Sequence, residues 1–258
     1  MTGCGAELAN TAEPDQLSLP ETLVEVSGLA RTDDSRLLAI SDEIGVVYAL
    51  DMERREVKRF TQFGQPPVRG DFEGIAYSDG VVYATTSKGE LYIRRVDAVA
   101  GEFSQVKTGF GRRCEIEGLA MSPENKSLWF LCKTARKKKY RGKVTAFRWN
   151  VELQEEIKPP WQVDLEEVGI NGKLSPSGIS FSATDTSIYV IAAKQHVWLQ
   201  FHPGGELTQL HALSPRYHPQ AEGILVADGF LYTADEGVNG SSRLTRYPLH
   251  SFGLKDDE

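Results

Sequence analysis

Short runs of alternating apolar and polar residues recur along the chain, and each run is bounded by Asp, Asn, Gly or Ser. Val46–Leu50 and Val81–Thr85 are typical, since they are rich in β-branched and aromatic residues. Such runs, separated by turns such as Ser78-Asp79-Gly80, are the signals of β-strands joined by hairpins. No segment shows a sustained helical period that competes with them. The pattern predicts an all-β protein.

A three-residue motif recurs among these strands, in which a serine or glutamate precedes a glycine and an aliphatic residue. Its glycines lie 46, 44, 60 and 45 residues apart. A repeat of this length is typical of a β-propeller, in which each repeat forms one radial blade. We therefore predict a five-bladed β-propeller of four-stranded antiparallel blades. The five copies are Ser27-Gly28-Leu29, Glu73-Gly74-Ile75, Glu117-Gly118-Leu119, Ser177-Gly178-Ile179 and Glu222-Gly223-Ile224.

The sequence near the two ends of the chain predicts which strands pair to close the ring of blades. The last repeat ends too early to supply a fourth strand, whereas Gln16–Leu19 has the alternation of a short strand. We expect this N-terminal strand to pair with the blade that contains Glu222, because closure removes exposed sheet edges. The longest repeat contains a basic run and Pro159-Pro160, which we interpret as an enlarged loop rather than a sixth blade. The predicted organisation is a flexible tether over 1–15 and one propeller domain over 16–258.

Net charge and hydropathy limit the kinds of molecule that this protein is expected to bind. The 258 residues carry a net charge of −7, with a pI near 5.4. This balance argues against nucleic acid as the partner. No apolar run approaches the roughly 18 residues that a membrane helix needs. We expect a monomer that binds a polar or anionic small molecule or a protein partner.

The cysteines bear on the cellular compartment. Thr2-Gly3-Cys4-Gly5 resembles the cleavage end of a bacterial lipoprotein signal, although the cysteine also fits a coincidence in a polar start. The first interpretation predicts a periplasmic or outer-surface protein whose only membrane contact is a lipid anchor at Cys4; the second leaves a cytoplasmic protein open. Cys114 and Cys132 lie at opposite ends of one predicted hairpin. In an oxidising compartment they are candidates for a disulfide, and free thiols are the alternative.

The first position of the motif suggests a cation site. Equivalent positions of a closed ring converge on its axis, so three carboxylates and two hydroxyls should face a common point. Such an arrangement is unfavourable unless a cation lies within it. Oxygen donors of mixed charge suit calcium, which accepts 6–8 ligands in irregular geometry. Zinc is disfavoured because the chain has no Cys/His cluster with ligand spacing. The five positions are Ser27, Glu73, Glu117, Ser177 and Glu222.

A second set of polar residues follows the motif by 13 to 17 positions in every repeat. Folding the first hairpin back brings these residues near the motif, where they either line a pocket or cap strand ends; the recurrence favours a pocket. The basic run Ala135–Lys143 is either a solvated hairpin or an anion-binding flap that uses Arg136 and Arg141. The recurring residues are Asp42, Glu43, Lys88, Lys133, Lys194, Asp235 and Glu236.

Taken in order, the motifs resemble those of the bacterial SdiA-regulated propeller family. Ile40-Ser41-Asp42-Glu43 and Gln220-Ala221-Glu222-Gly223-Ile224 resemble that family's first and last signatures, and the resemblance runs from Leu17 to Leu249. More distantly, the chain is similar to the calcium-activated apyrases, five-bladed propellers that hydrolyse nucleoside diphosphates and triphosphates. In apyrases an axial calcium is held by a Ser, Glu, Glu, Ser, Glu series. The resemblance thus implies calcium at the five first positions of the motif.

Two functional classes follow. We favour a calcium-binding propeller that binds a polar or anionic ligand or partner at the mouth of its channel. The alternative is a calcium-dependent hydrolase of phosphoesters or phosphoanhydrides, like an apyrase. In that case an acid among Asp42, Glu43, Asp235 and Glu236 orients or deprotonates water. The lysines and Arg136 then stabilise the developing charge.

Overall fold

A computed structural model describes residues 14–182, 185–238 and 241–254. Twenty strands form five four-stranded antiparallel sheets, which we call blades I to V. The strands of each blade are given from the inner to the outer one. Blades I and II contain β2 (Val26–Arg31), β3 (Leu37–Ser41), β4 (Val46–Asp51) and β5 (Glu56–Gln62), and β6 (Phe72–Ser78), β7 (Val81–Thr86), β8 (Glu90–Arg95) and β9 (Ser104–Lys107), respectively. Blades III and IV contain β10 (Cys114–Met121), β11 (Ser127–Ala135), β12 (Lys143–Asn150) and β13 (Glu155–Asp164), and β14 (Gly178–Phe181), β15 (Ile188–Ala192), β16 (Val197–Phe201) and β17 (Leu207–Ala212), respectively. Blade V contains β18 (Ala221–Ala227), β19 (Phe230–Val238), β20 (Ser241–Pro248) and β1 (Asp15–Ser18).

The inner strands of neighbouring blades contact one another around a common axis, and the last contacts the first. The five-bladed propeller predicted from the repeat is therefore confirmed. Each of five apolar cores lies between two adjacent blades. Between blades I and II, for example, the ring of Phe63, which follows β5, lies 6.3 Å from the ring of Phe72 in β6. Because each core joins two sheets, burial of apolar surface holds the ring together.

The N-terminal strand closes the ring as predicted. β1 pairs antiparallel with β20, with Leu17 opposite Leu244. The strand begins at Asp15, one residue earlier than expected, and the Leu19 amide still donates to Ser242 at 3.0 Å. The remainder of the predicted tether, together with the predicted anchor Cys4, lies outside the described residues.

The motif glycines allow the inner strands to approach one another closely. A Cβ added to Gly74 would lie 2.5 Å from the Leu119 amide nitrogen, and one added to Gly28 would lie 3.0 Å from Gly74 Cα. A Cβ on Gly178 would lie 2.7 Å from the Glu222 carbonyl oxygen. Only glycine permits such contact between backbones. The recurring glycine is thus a packing requirement of the ring.

The prediction that Pro159-Pro160 lies in an enlarged loop is wrong. Both prolines belong to β13, the outermost strand of blade III. The pairing of β12 with β13 shifts register between Ala146 and Arg148, opposite this segment. Proline cannot donate to a sheet, so it is tolerated at bulges and on edge strands such as this one.

A disulfide joins Cys114 of β10 to Cys132 of β11, with a Cα–Cα distance of 5.6 Å. This decides between the two alternatives left open by the sequence. Among the described residues, no helix is long and apolar enough to cross a membrane.

Candidate functional site

The start of every inner strand lies at one end of the channel, which we call the motif mouth. The antiparallel register places the end of the second strand beside it, as in the pairs Val26–Ser41 and Phe72–Thr86. The first positions of the motif and the recurring residues that follow them are therefore found at the same end of the propeller. Hairpin folding brings the two sets together as the spacing predicted.

A small cavity of about 10 Å³ lies on the axis at this end. All five motif glycines line it, together with Ser27 and Glu222. A volume of this size corresponds to a single water-sized particle. The inner strands thus leave room on the axis for one small species.

The glutamates of the motif are in a region where ionisation is unfavourable. Glu117 and Glu222 are only 6% and 9% exposed, respectively. Burial, with the charges of Glu117 and Asp71, raises the pKa of Glu73 to about 10. Burial also raises the pKa of Glu222, and its Oε2 is buried without a hydrogen-bond partner. An uncompensated buried carboxylate costs free energy unless it is protonated or paired with a cation.

Lys133 supplies part of the compensating charge. Its Nζ lies 2.8 Å from Glu117 Oε1. Burial raises the pKa of Glu117, and the ammonium group limits the rise to about 7. Burial lowers the pKa of Lys133, but the hydrogen bond and charge of Glu117, with the charge of Glu222, outweigh it and raise the pKa overall. One ammonium group therefore faces a cluster of three carboxyl groups.

The two serines of the motif connect neighbouring blades. Ser27 Oγ donates to the carbonyl of Phe72 at 2.6 Å, which joins blade I to blade II. Ser177 Oγ donates to the carbonyl of Ala221 at 2.9 Å and accepts from the Ala193 amide at 3.1 Å. Ser27 still has lone pairs with which to bind a cation. Both hydroxyls have a structural role in addition to any ligand role.

The donor set suits a hard cation, but its present spacing does not hold one. All five side chains offer oxygen, as calcium requires. Within 14–182, 185–238 and 241–254, no three His, Cys, Asp or Glu side chains are gathered closely enough to hold a metal ion. The chemistry of the residues fits calcium, whereas bringing the carboxylates together requires their side chains to turn inward.

A group of further acids occupies the mouth on blades V, I and II. Burial, with the nearby carboxylate of Glu25, raises the pKa of Asp42 to about 7. Burial and the charge of Glu222 raise the pKa of Glu236 to about 7. Gln220 donates a hydrogen bond to Glu236 and lies 3.4 Å from Glu222 Oε1. This side of the mouth is rich in carboxyl groups that take up protons near neutral pH.

Sequence reasoning missed the polar residue two positions before each motif. These residues lie at or just before the start of each inner strand, and therefore at the same end of the propeller as the motif. Asp71, for example, accepts a hydrogen bond from Ser87 across the mouth of blade II. The signal was present in the sequence as a recurring polar residue. The five residues are Glu25, Asp71, Glu115, Ser175 and Gln220.

Two of the predicted catalytic acids lie in contrasting places. Asp235 is fully buried, and its Oδ2 lies 2.9 Å from His218 Nδ1. His218 Nε2 in turn lies 2.7 Å from the Tyr247 hydroxyl. Glu43 is exposed, and its charge contributes to the raised pKa of Asp42. Asp235 therefore has a structural role inside blade V, where it contacts His218, whereas Glu43 faces solvent.

The predicted cationic residues fall into two groups. Lys133 and Arg141 line the same side pocket of about 400 Å³. Lys88, Arg136 and Lys194 are exposed and do not line that pocket. The charge of Lys194 nevertheless lowers the pKa of Glu222, which places it near the axis. Blades III and IV thus supply the positive side of the mouth.

Comparison with known proteins supports the fold. No family model and no curated protein matches the chain. Among solved structures, glutaminyl cyclase from Myxococcus xanthus is 15% identical, with 93% of this chain and 95% of that chain covered and a TM-score of 0.61. PQQ-bound aldose sugar dehydrogenase from Streptomyces coelicolor is 14% identical, with 92% and 99% covered and a TM-score of 0.56. The likeness is one of fold alone. At this identity it carries no conclusion about activity.

Proposed function

We propose that this protein is a calcium-binding β-propeller of the SdiA-regulated type that binds a polar or anionic ligand or partner at its motif mouth. The observation that carries the proposal is the buried Glu222 carboxylate, whose Oε2 has no partner. It lies in one charged cluster with Glu117 and Lys133. A divalent cation on the axis offsets the charge that a single ammonium group leaves uncompensated.

The proposed ligands are the five first residues of the motif. Their backbones already meet at the axis, as the contact between Gly28 and Gly74 shows. In this proposal the side chains of Glu73 and Glu117 turn towards the axis to reach the cation. The Lys133 ammonium then stays beside Glu117 or moves outward towards the side pocket. The ligand set is Ser27, Glu73, Glu117, Ser177 and Glu222.

The division of charge around the mouth supports an anionic ligand. Asp42 and Glu236 lie on blades I and V, whereas Lys133 and Lys194 lie on blades III and IV. Lys88 of blade II and Glu115 of blade III are exceptions to this division. A cation on the axis makes the centre of the mouth less negative. An anion then finds favourable contacts between that centre and the basic side.

One observation favours hydrolysis as a second candidate. Asp42 and Glu236 both have a pKa of about 7, which suits proton transfer at neutral pH. Of the four acids predicted as catalytic, these two combine access to solvent with a raised pKa. We therefore propose them, rather than Asp235 or Glu43, as the acids that would accept a proton from water.

The disulfide between Cys114 and Cys132 supports a location outside the cytoplasm, because such bonds persist in oxidising compartments. The periplasm or the outer surface of a bacterium is the proposed location. A lipid anchor at Cys4 belongs to the same proposal.

The deciding experiment is thermal unfolding of metal-free protein with added calcium, magnesium or chelator, together with elemental analysis. A cation that binds only the folded state stabilises it by about 2.7 kcal/mol at 100 times Kd. We expect this gain with calcium and a much smaller gain with magnesium at equal concentration. The same samples are assayed against a phosphatase and nucleotidase panel. An unchanged melting temperature and no bound calcium would refute the axial site.

A further inference from the structure

A side pocket of about 400 Å³ opens beside the motif mouth, between blades III and IV. Its walls come from the end of β11, the loop that follows it, and the segment 165–174 that precedes blade IV. The volume lies within the range of small-molecule sites. Of the residues that face the axial carboxylates, Lys133 is the one that also borders this pocket.

The rim of the side pocket carries positive charge that the protein does not neutralise. Lys143 is paired with Asp164 at 2.8 Å. Arg141 and Lys173 are exposed on the same rim, and within the described chain neither has an ion-pair partner. Residues 133 to 143 include seven lysines and arginines and no acid, in a chain of net charge −7. The local field is therefore opposite to that of the whole protein and attracts anions.

The floor of the side pocket is apolar. Leu165, Leu174 and Tyr140 line it and are otherwise buried in the fold. Cys132 lies beside them and is held to β10 by its disulfide with Cys114. An inorganic ion gains nothing from such a floor. A ligand with an apolar body gains from burying that body there.

We propose that the side pocket binds a small organic anion. Its acidic group contacts Arg141 and Lys173, and its apolar body packs on Leu165, Leu174 and Tyr140. The assignment rests on the proposed function, since it names the class of ligand that the mouth takes. It does not depend on calcium, because none of the proposed calcium ligands lines the pocket.

The test uses calorimetry with three probes at about 0.15 M salt, where long-range attraction is screened. Naphthalene-1-sulfonate has both an acidic group and an apolar body, whereas methanesulfonate and naphthalene-1-methanol each lack one of them. We expect the first to bind the full chain at least tenfold more tightly than either of the others. Equal affinity for naphthalene-1-sulfonate and methanesulfonate would overturn the proposal.

Matched variants locate the binding. Arg141→Ala with Lys173→Ala should weaken naphthalene-1-sulfonate at least tenfold. Lys137→Ala with Lys138→Ala removes the same charge from exposed residues outside the lining, and should weaken it less than threefold. The opposite end of the channel holds a second cavity of about 500 Å³. Binding there would leave the two double variants alike, which would overturn the assignment.

The titrations are run in chelator and in calcium so that the two proposals fail separately. Tight sulfonate binding in chelator supports the side pocket, even where calcium has no effect on stability. A calcium effect without sulfonate binding upholds the axial site and refutes the side pocket. Thermal unfolding of each variant shows that the fold is retained.

Discussion

Glu222→Gln is expected to change stability in opposite directions with and without calcium. The substitution preserves the size of a side chain that is 9% exposed and removes its charge. Without metal, a buried carboxylate oxygen that has no partner costs about 1–3 kcal/mol. Because burial raises the pKa of Glu222, ionising this carboxyl group in the folded state opposes folding. We expect the variant to be more stable by about 1 kcal/mol, which is about 2–4 °C in Tm.

In calcium, we expect the wild-type protein to be more stable than the Glu222→Gln variant. At 100 times Kd the wild-type protein gains about 2.7 kcal/mol. If loss of one charged ligand weakens binding about 100-fold, the variant gains only about 0.4 kcal/mol at the same calcium concentration. The variant is then the less stable of the two by about 1 kcal/mol. This exchange of rank is not expected from a substitution that merely alters packing.

The assay is chemical or thermal unfolding at pH 8, in chelator and in saturating calcium. Glu124→Gln serves as the matched control, because Glu124 is exposed and outside the mouth. A Glu222→Gln protein that retained the full calcium gain would show that Glu222 is not a ligand. A variant destabilised in chelator would show that the carboxylate is already compensated in the metal-free fold.

Two further predictions concern the ring and the mouth. Gly74→Ala should destabilise the fold by about 3 kcal/mol or more in urea unfolding, because its Cβ would lie 2.5 Å from the Leu119 nitrogen. Gly204→Ala is the control: there is room for a Cβ at this position, so the same measurement should show a loss of less than about 1 kcal/mol. The metal-free protein should lose stability as pH rises from about 4 to about 7, since Asp42 and Glu236, like Glu73 and Glu117, hold protons in the folded state that the unfolded chain releases. Asp42 and Glu236 are partly solvated, so we expect a loss of about 1 kcal/mol from these two groups, and the pH slope of Tm should flatten in Asp42→Asn with Glu236→Gln. An unchanged slope in that double variant would place the titration elsewhere.

The fold could be predicted from the sequence because it depends on features that repeat. The recurring glycine reports the close packing of each inner strand against its neighbours, so its spacing counts the blades. The closing strand could be predicted because β1 must supply what the last repeat lacks. Pro159-Pro160 was misplaced for a related reason. A proline pair shows only that a donor is missing, and an outer strand at a bulge tolerates that loss as well as a loop does.

The site could be predicted only in part. The spacing of residues gives their position along a strand, but it does not give the burial of their side chains. Asp235 and Glu236 are neighbours in β19, and consecutive side chains point to opposite faces. Asp235 is consequently buried against His218, while Glu236 reaches the mouth and bonds Gln220. The sequence offered both as equal candidates. The spacing placed Lys133 near the motif glutamates, but it did not show that Lys133 pairs with Glu117, since that contact depends on where two long side chains meet.

Departures from five-fold symmetry would give the proposed ligand site its specificity. Symmetric positions, such as the motif glycines, are constrained by packing and are alike in every blade. The position near the end of the second strand is constrained less: it is acidic in blades V and I and is a lysine in blades II, III and IV. The basic loop and Lys173 add to that same sector, so the mouth has a negative side and a positive side. A ligand that binds across the axis is therefore oriented by charge before any side chain moves. Exchanging the charges of one sector should change which ligand binds while leaving the propeller intact.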